Sequence, residues 1–166
     1  MAPLKAKGDL AELKVACDLV ERGYRVAIPF GEDSDFDLVC WKPDGPLERV
    51  QVKYSKIRQG VIEVRCASSS LTNGKVRAVK RYTAEMIDWI AAFEPTTDTC
   101  YYVHASELGA GRDRLSLRIA PPRNGQVIGI RYAADYRHPV RAHLPVMEPA
   151  GFEPATSDLQ NRCSTN

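Results

Sequence analysis

The chain has 166 residues, 44% hydrophobic and 27% charged, with a net charge of +2 and a pI near 8.3. That is the composition of one soluble domain with a core of its own, and the mild basicity is weak support for a nucleic-acid partner. No apolar run approaches the ~20 residues that cross a bilayer. Met1 to Asp9 lacks the apolar core of a signal peptide, so a cytoplasmic protein without a membrane partner is expected. Five cysteines stand far apart with no C-x-x-C pair, which excludes a zinc ribbon or dithiol motif. Cys17, Cys40, Cys66 and Cys100 lie in apolar runs and read as buried, reduced thiols.

In chain order, Lys7 to Gly23 reads as a helix with Asp9 near its start and Gly23 as its stop. Leu10, Leu13, Ala16, Cys17 and Val20 form one apolar stripe, with Glu12 at its edge. Tyr24 to Phe30 reads as a short strand, and Pro29 marks it as an edge or an end. Ser34 to Lys56 reads as two strands joined by the turn Lys42-Pro43-Asp44-Gly45-Pro46. In the second strand, Leu47 to Tyr54, Val50, Val52 and Tyr54 share one face and Arg49, Gln51 and Lys53 the other. Val61 to Ala67 is a further strand, Ser68 to Gly74 a polar loop, and Lys75 to Arg81 a basic loop. Asp88 to Phe93 and Thr99 to Val103 are strands separated by a turn at Glu94-Pro95, and Leu115 to Ile119 is another. The order indicates an α/β or α+β domain, a mixed sheet flanked by helix.

Pairing the two central strands brings Asp37 close to Gln51 and Lys53. A carboxylate, an amide oxygen and an ammonium on one spot suit a hard cation such as Mg²⁺, with the lysine left to handle anionic charge.

With Glu12 on a first helix, Asp37 opening a strand and Q-V-K on the next, the chain resembles the PD-(D/E)XK nuclease superfamily. More narrowly, it is similar to the group I intron-associated PD-(D/E)XK endonucleases, of homing-endonuclease type. K-G-D-L-A-E at Lys7 to Glu12, I-D-W-I-A-A-F before C-Y-Y-V, L-R-I-A-P-P-R-N-G-Q at Leu117 to Gln126, and A-A-D-Y from Ala133 extend the likeness to most of the chain. Phe36 stands where the superfamily motif has proline, and Gln51 where most members have a carboxylate. The intron-associated branch is itself similar in using Gln there.

The resemblance implies a restriction-endonuclease-like mixed sheet flanked by helices over residues 1–147. It implies a Mg²⁺-dependent (or Mn²⁺-dependent) endodeoxyribonuclease acting on double-stranded DNA, with no small-molecule cofactor. Asp37, the Gln51 side-chain oxygen and the Val52 carbonyl would hold the cation. Glu12 would be an outer acid or a ligand to a second metal, and Asp35 an outer candidate. Lys53 would orient the attacking water or neutralise the phosphate. So small a chain would pair as a homodimer or homotetramer to cut both strands. A Holliday-junction-resolvase type of nuclease, or a silent DNA-binding module on the same fold, are the alternatives.

Lys75, Arg77, Lys80 and Arg81, then Lys56 and Arg58, are the candidates for contacting DNA phosphates. Tyr82 reads as core or as a packing residue facing DNA. His138 and His143, spaced H-x₄-H without a third ligand, read as no metal site. Residues 148–166 lack periodicity and read as a disordered tail. Gly151 to Pro154 (G-F-E-P) and Cys163 to Asn166 (C-S-T-N) are similar to the antisense translation of the T- and D-arms of a tRNA gene.

Overall fold

The computed structural model describes residues 4–31, 34–72, 75–121 and 128–139. Helix α1 spans Leu4–Glu21. The strands are β1 Arg25–Ala27, β2 Leu38–Trp41, β3 Glu48–Tyr54, β4 Ile57–Arg58, β5 Val61–Arg65, β6 Ala67–Thr72, β7 Lys75–Arg81, β8 Trp89–Glu94, β9 Thr99–His104 and β10 Arg114–Arg118. Short 3-10 turns occupy Ala105–Leu108 and Ala133–Tyr136.

Five strands form a mixed sheet in the order β1-β2-β3-β8-β9, with β3 and β8 parallel and the other pairs antiparallel. This is the mixed α/β architecture expected. The two central strands pair as the sequence indicates, and β1 lies at an edge. The plural helices reduce, among the described residues, to α1 and the two 3-10 turns. The face opposite α1 is covered instead by a three-stranded sheet, β10-β5-β4.

Alternation along each strand divides the core into two layers. Ala11, Val15 and Leu19 of α1 pack on Leu38, Val50, Val52, Trp89, Ala91, Phe93 and Tyr102. On the other face, Ile90, Ala92, Tyr101 and Val103 meet Ile62, Val64, Leu115 and Leu117. Strand β8 is buried at every residue because it serves both layers. Each large side chain so buried, Trp89 and Phe93 among them, contributes about 1.5–3 kcal/mol. Asp88 clamps the start of β8 to β3. Its carboxylate accepts the Arg49 backbone N–H at 2.7 Å and the Arg49 Nε at 3.0 Å. Burial pushes Asp88 up, but these bonds and the guanidinium charge outweigh it and hold its pKa below the usual value.

Several expectations are corrected. The stripe Leu10, Leu13, Ala16, Cys17 and Val20 is not the buried one: Leu13 is 62% and Val20 57% exposed, and Cys17 is exposed too. The apolar residues of α1 run round more than one face, so periodicity finds a stripe without saying which stripe meets the sheet. Cys40, Cys66 and Cys100 are buried as expected. The helix begins before Lys7 but stops as expected. The Gly23 N–H donates to the Val20 carbonyl at 2.9 Å and the Tyr24 N–H to Leu19 at 3.0 Å, a closure that Gly23 permits at φ 81°. Neither the polar loop nor the basic loop is a loop: β6 and β7 pair as an antiparallel ribbon with a register shift at Ser70/Leu71. The serine run conceals β6 because its pairing partner, not its own composition, makes it a strand. The Val61–Ala67 strand breaks at Cys66, where the chain passes from β5 into the ribbon. His138 shares a hydrogen bond with Arg22 at 2.5 Å. His143 and the expected tail lie outside the described residues.

The corrected helix face has a measurable consequence. Leu19→Ala should cost about 2–5 kcal/mol in urea unfolding, and Leu13→Ala less than about 1 kcal/mol. Equal costs would show that the helix is turned the other way.

Candidate active site

The site arises where β2 parts from β3. Their last paired residues are Leu38 and Val50, and the Asp37 N–H still donates to the Val50 carbonyl at 2.9 Å. One step further the chain turns away. The Val52 N–H, left without a strand partner, donates to Asp37 Oδ2 at 2.7 Å. The Val52 carbonyl lies on the same edge of β3 and likewise lacks a strand partner. Gln51 and Asp37 share a face, and the Gln51 amide donates to Asp37 Oδ2 and, at 3.3 Å, to the Val52 carbonyl.

Lys53 follows two residues on along that face. Its Nζ lies 3.4 Å from the Tyr82 hydroxyl and 5.0 Å from the Tyr82 ring centroid. Glu12 reaches the same place from α1. Lys5, Asp9, Glu12, Ser34, Phe36 and Asp37 line a cleft of about 300 Å³. The structure therefore brings together all four residues of the expected centre: Glu12, Asp37, Gln51 and Lys53.

Asp37 and Lys53 are largely withdrawn from water and Glu12 only in part. Burial raises the Asp37 pKa, while the Val52 N–H, Lys53 and Gln51 pull against it. Burial, then Asp37 and Asp9, raise the pKa of Glu12. Burial lowers that of Lys53, opposed by Asp37 and reinforced by Arg65. Both acids thus favour their neutral forms more than usual, which a nearby cation would reverse.

The donor set fits a hard divalent cation. Asp37, Glu12 and the Val52 carbonyl offer oxygen, and Mg²⁺ takes oxygen ligands while keeping several waters. The positive end of the Gln51 amide lies between the two oxygens that a cation would share. A half-turn of that amide presents its oxygen in the same place.

The other candidates are dispersed. Asp35 pairs with Lys80 across the ribbon base. Arg81 pairs with Asp113 at 2.9 Å. Lys75 and Arg77 lie on β7, and Lys56 and Arg58 are exposed. Sequence reasoning left the role of Tyr82 open. Its ring is buried, and its backbone N–H donates to the Cys66 carbonyl at 3.0 Å, which seats it under Lys53 at the ribbon's base.

The sequence pattern of the PD-(D/E)XK endonucleases matches residues 3–139. The chain belongs to the PD-(D/E)XK endonuclease family. A comparison with curated proteins gives no match. Among solved structures it is similar to a bacterial homing endonuclease, I-Ssp6803I, with a TM-score of 0.65 and 21% identity over 82% of this chain and 89% of that one. At that identity the likeness speaks to the fold. As a PD-(D/E)XK endonuclease, the chain departs from the family signature at Phe36 and Gln51 while keeping Asp37 and Lys53 in register.

Two outcomes follow for this centre. Because Asp37 and Glu12 have raised pKa values, ionising them weakens the metal-free fold as pH rises through those values. Mg²⁺ or Mn²⁺ at pH 8 should therefore raise the wild-type melting temperature, and raise that of Asp37→Asn much less. Equal shifts would place the cation elsewhere. For Tyr82, the ring should matter more than the hydroxyl, since cation–π contacts contribute about 0.5–2 kcal/mol. Tyr82→Phe should keep cleavage within a few-fold, and Tyr82→Leu should lose about tenfold or more in single-turnover rate.

Proposed function

We propose that this endonuclease hydrolyses phosphodiester bonds of double-stranded DNA with Mg²⁺, or Mn²⁺ in its place, in the manner of an intron homing enzyme. The observation that carries the reading is the convergence of Asp37, Gln51, Lys53 and Glu12 at the gap between β2 and β3. A bound cation would supply Lewis acidity to the phosphate and a more acidic water.

The chain's own groups do the rest. Asp37 and the Val52 carbonyl would hold the cation. Lys53 presents its ammonium to the phosphate oxygens, or to the water aligned for attack, and Tyr82 keeps that ammonium in place. Glu12, with its raised pKa, accepts or relays a proton on the water side of the cleft. A module that only bound DNA would have no use for Lys53 held out of water beside Asp37 and Glu12, because burying such charges costs stability. This is the reason to favour a nuclease over a silent module. Cutting both strands of a duplex calls for two such centres, hence a homodimer or homotetramer in a cytoplasmic setting.

The test is cleavage of duplex DNA carrying the gene's own insertion locus, with and without Mg²⁺. Asp37→Asn and Lys53→Ala should each reduce hydrolysis by at least about a hundredfold. Without divalent metal, Asp37→Asn should bind DNA as well as wild type or better, because it removes a negative charge near the phosphate. Metal-dependent cleavage that survives Asp37→Asn would disprove the assigned centre.

A further inference from the structure

A second basic site lies outside this centre, where the β6–β7 ribbon meets the β5–β10 sheet. There Arg65, Ala67, Val79, Arg81, Asp113 and Arg114 line a groove of about 340 Å³. Building on the nuclease reading, we propose that this groove binds a backbone phosphate of duplex DNA next to the one being cut, with Arg65, Arg81 and Arg114 as its donors.

Three features support the assignment. Arg65 and Arg114 are direct cross-strand partners, and both side chains are exposed on the outer face of their sheet. Like charges placed directly opposite each other oppose pairing. The fold gains nothing from that juxtaposition, whereas an anion bridging two guanidinium forks turns it into a favourable one.

The counter-charges are also incomplete. Arg114 reaches Glu63 at 2.8 Å and Arg81 reaches Asp113 at 2.9 Å, both exposed pairs of the kind that opens readily. Arg65 donates only to the Ser69 hydroxyl, at 2.9 Å, and no carboxylate lies within 4 Å of it among the described residues.

The walls are fixed and adjoin the catalytic centre. The Cys66 N–H donates to the Asp113 carbonyl at 2.8 Å, and the Tyr82 N–H to the Cys66 carbonyl, so the sheet, the ribbon and the loop before β10 are tied at one point. Gly111, at φ 106°, lets that loop approach the ribbon; a Cβ there would sit 3.0 Å from the Arg81 Cβ. Tyr82 carries Lys53 on its ring, and Lys53 senses the Arg65 charge. A DNA strand presenting a phosphate to Lys53 therefore has this groove as its next basic surface.

The experiment uses the full chain and measures duplex DNA affinity in Ca²⁺ across a range of KCl concentrations. Arg65→Gln with Arg114→Gln should weaken binding about tenfold or more and flatten the salt slope by roughly one to two. Asp113→Asn, which frees Arg81, should tighten binding several-fold; this gain guards against reading a folding defect as a lost contact. A single neutral methylphosphonate walked along each strand should find one position near the cut that costs wild type affinity and leaves the double variant indifferent. If wild type cleaves DNA but the double variant keeps its salt slope and methylphosphonate profile, the groove is not a phosphate site and the catalytic reading stands. If wild type neither binds nor cuts duplex DNA, the groove and the catalytic reading both fall.

Discussion

The whole site depends on where β2 leaves β3. A strand that stays paired satisfies its neighbour's N–H and C=O groups, and a strand that leaves exposes both. Here the departure comes one residue before Leu38, so the polar groups of Val52 lose their partner in mid-sheet. Asp37 answers the N–H, and the Gln51 amide donates to the carbonyl at 3.3 Å. The Asp37–Val52 contact is thus a repair of the sheet's own hydrogen bonding, made at the point where a cavity opens.

That arrangement needs β3 to be rigid. It is held on one side by β2, on the other by the parallel strand β8, and the Arg49–Asp88 clamp fixes their alignment. The two core layers then decide what can approach. Seating α1 on Ala11, Val15 and Leu19 turns Glu12 toward the cleft and leaves Leu13 and Val20 in solvent. The opposite layer carries β5 into the ribbon, whose base supplies Tyr82 beneath Lys53. One site therefore draws on both layers, and neither could be rotated without breaking it.

Much of this was legible in the chain itself. Period-two alternation identified β3 and its two faces, the Lys42–Pro46 turn identified the hairpin, and together they put Asp37 beside Gln51 and Lys53. These are local rules acting between neighbours in sequence, where a turn and a pleat leave little choice. Glu12 was legible only through its likeness to a family helix, since a lone acid on a helix carries no spatial address.

Other features were invisible for a physical reason. Which stripe of α1 is buried depends on the sheet it meets, because several apolar stripes of similar strength compete. The serine-rich β6 is a strand only because β7 pairs with it. Arg65 stands opposite Arg114, 49 positions away in sequence, through a register that no local pattern encodes. The amino-acid sequence by itself determined the central hairpin, the chemistry of its side chains and the family. Tertiary structure alone decided the helix face, the ribbon and its seat for Tyr82, and the meeting of three arginines, because each rests on contacts between segments far apart in the chain.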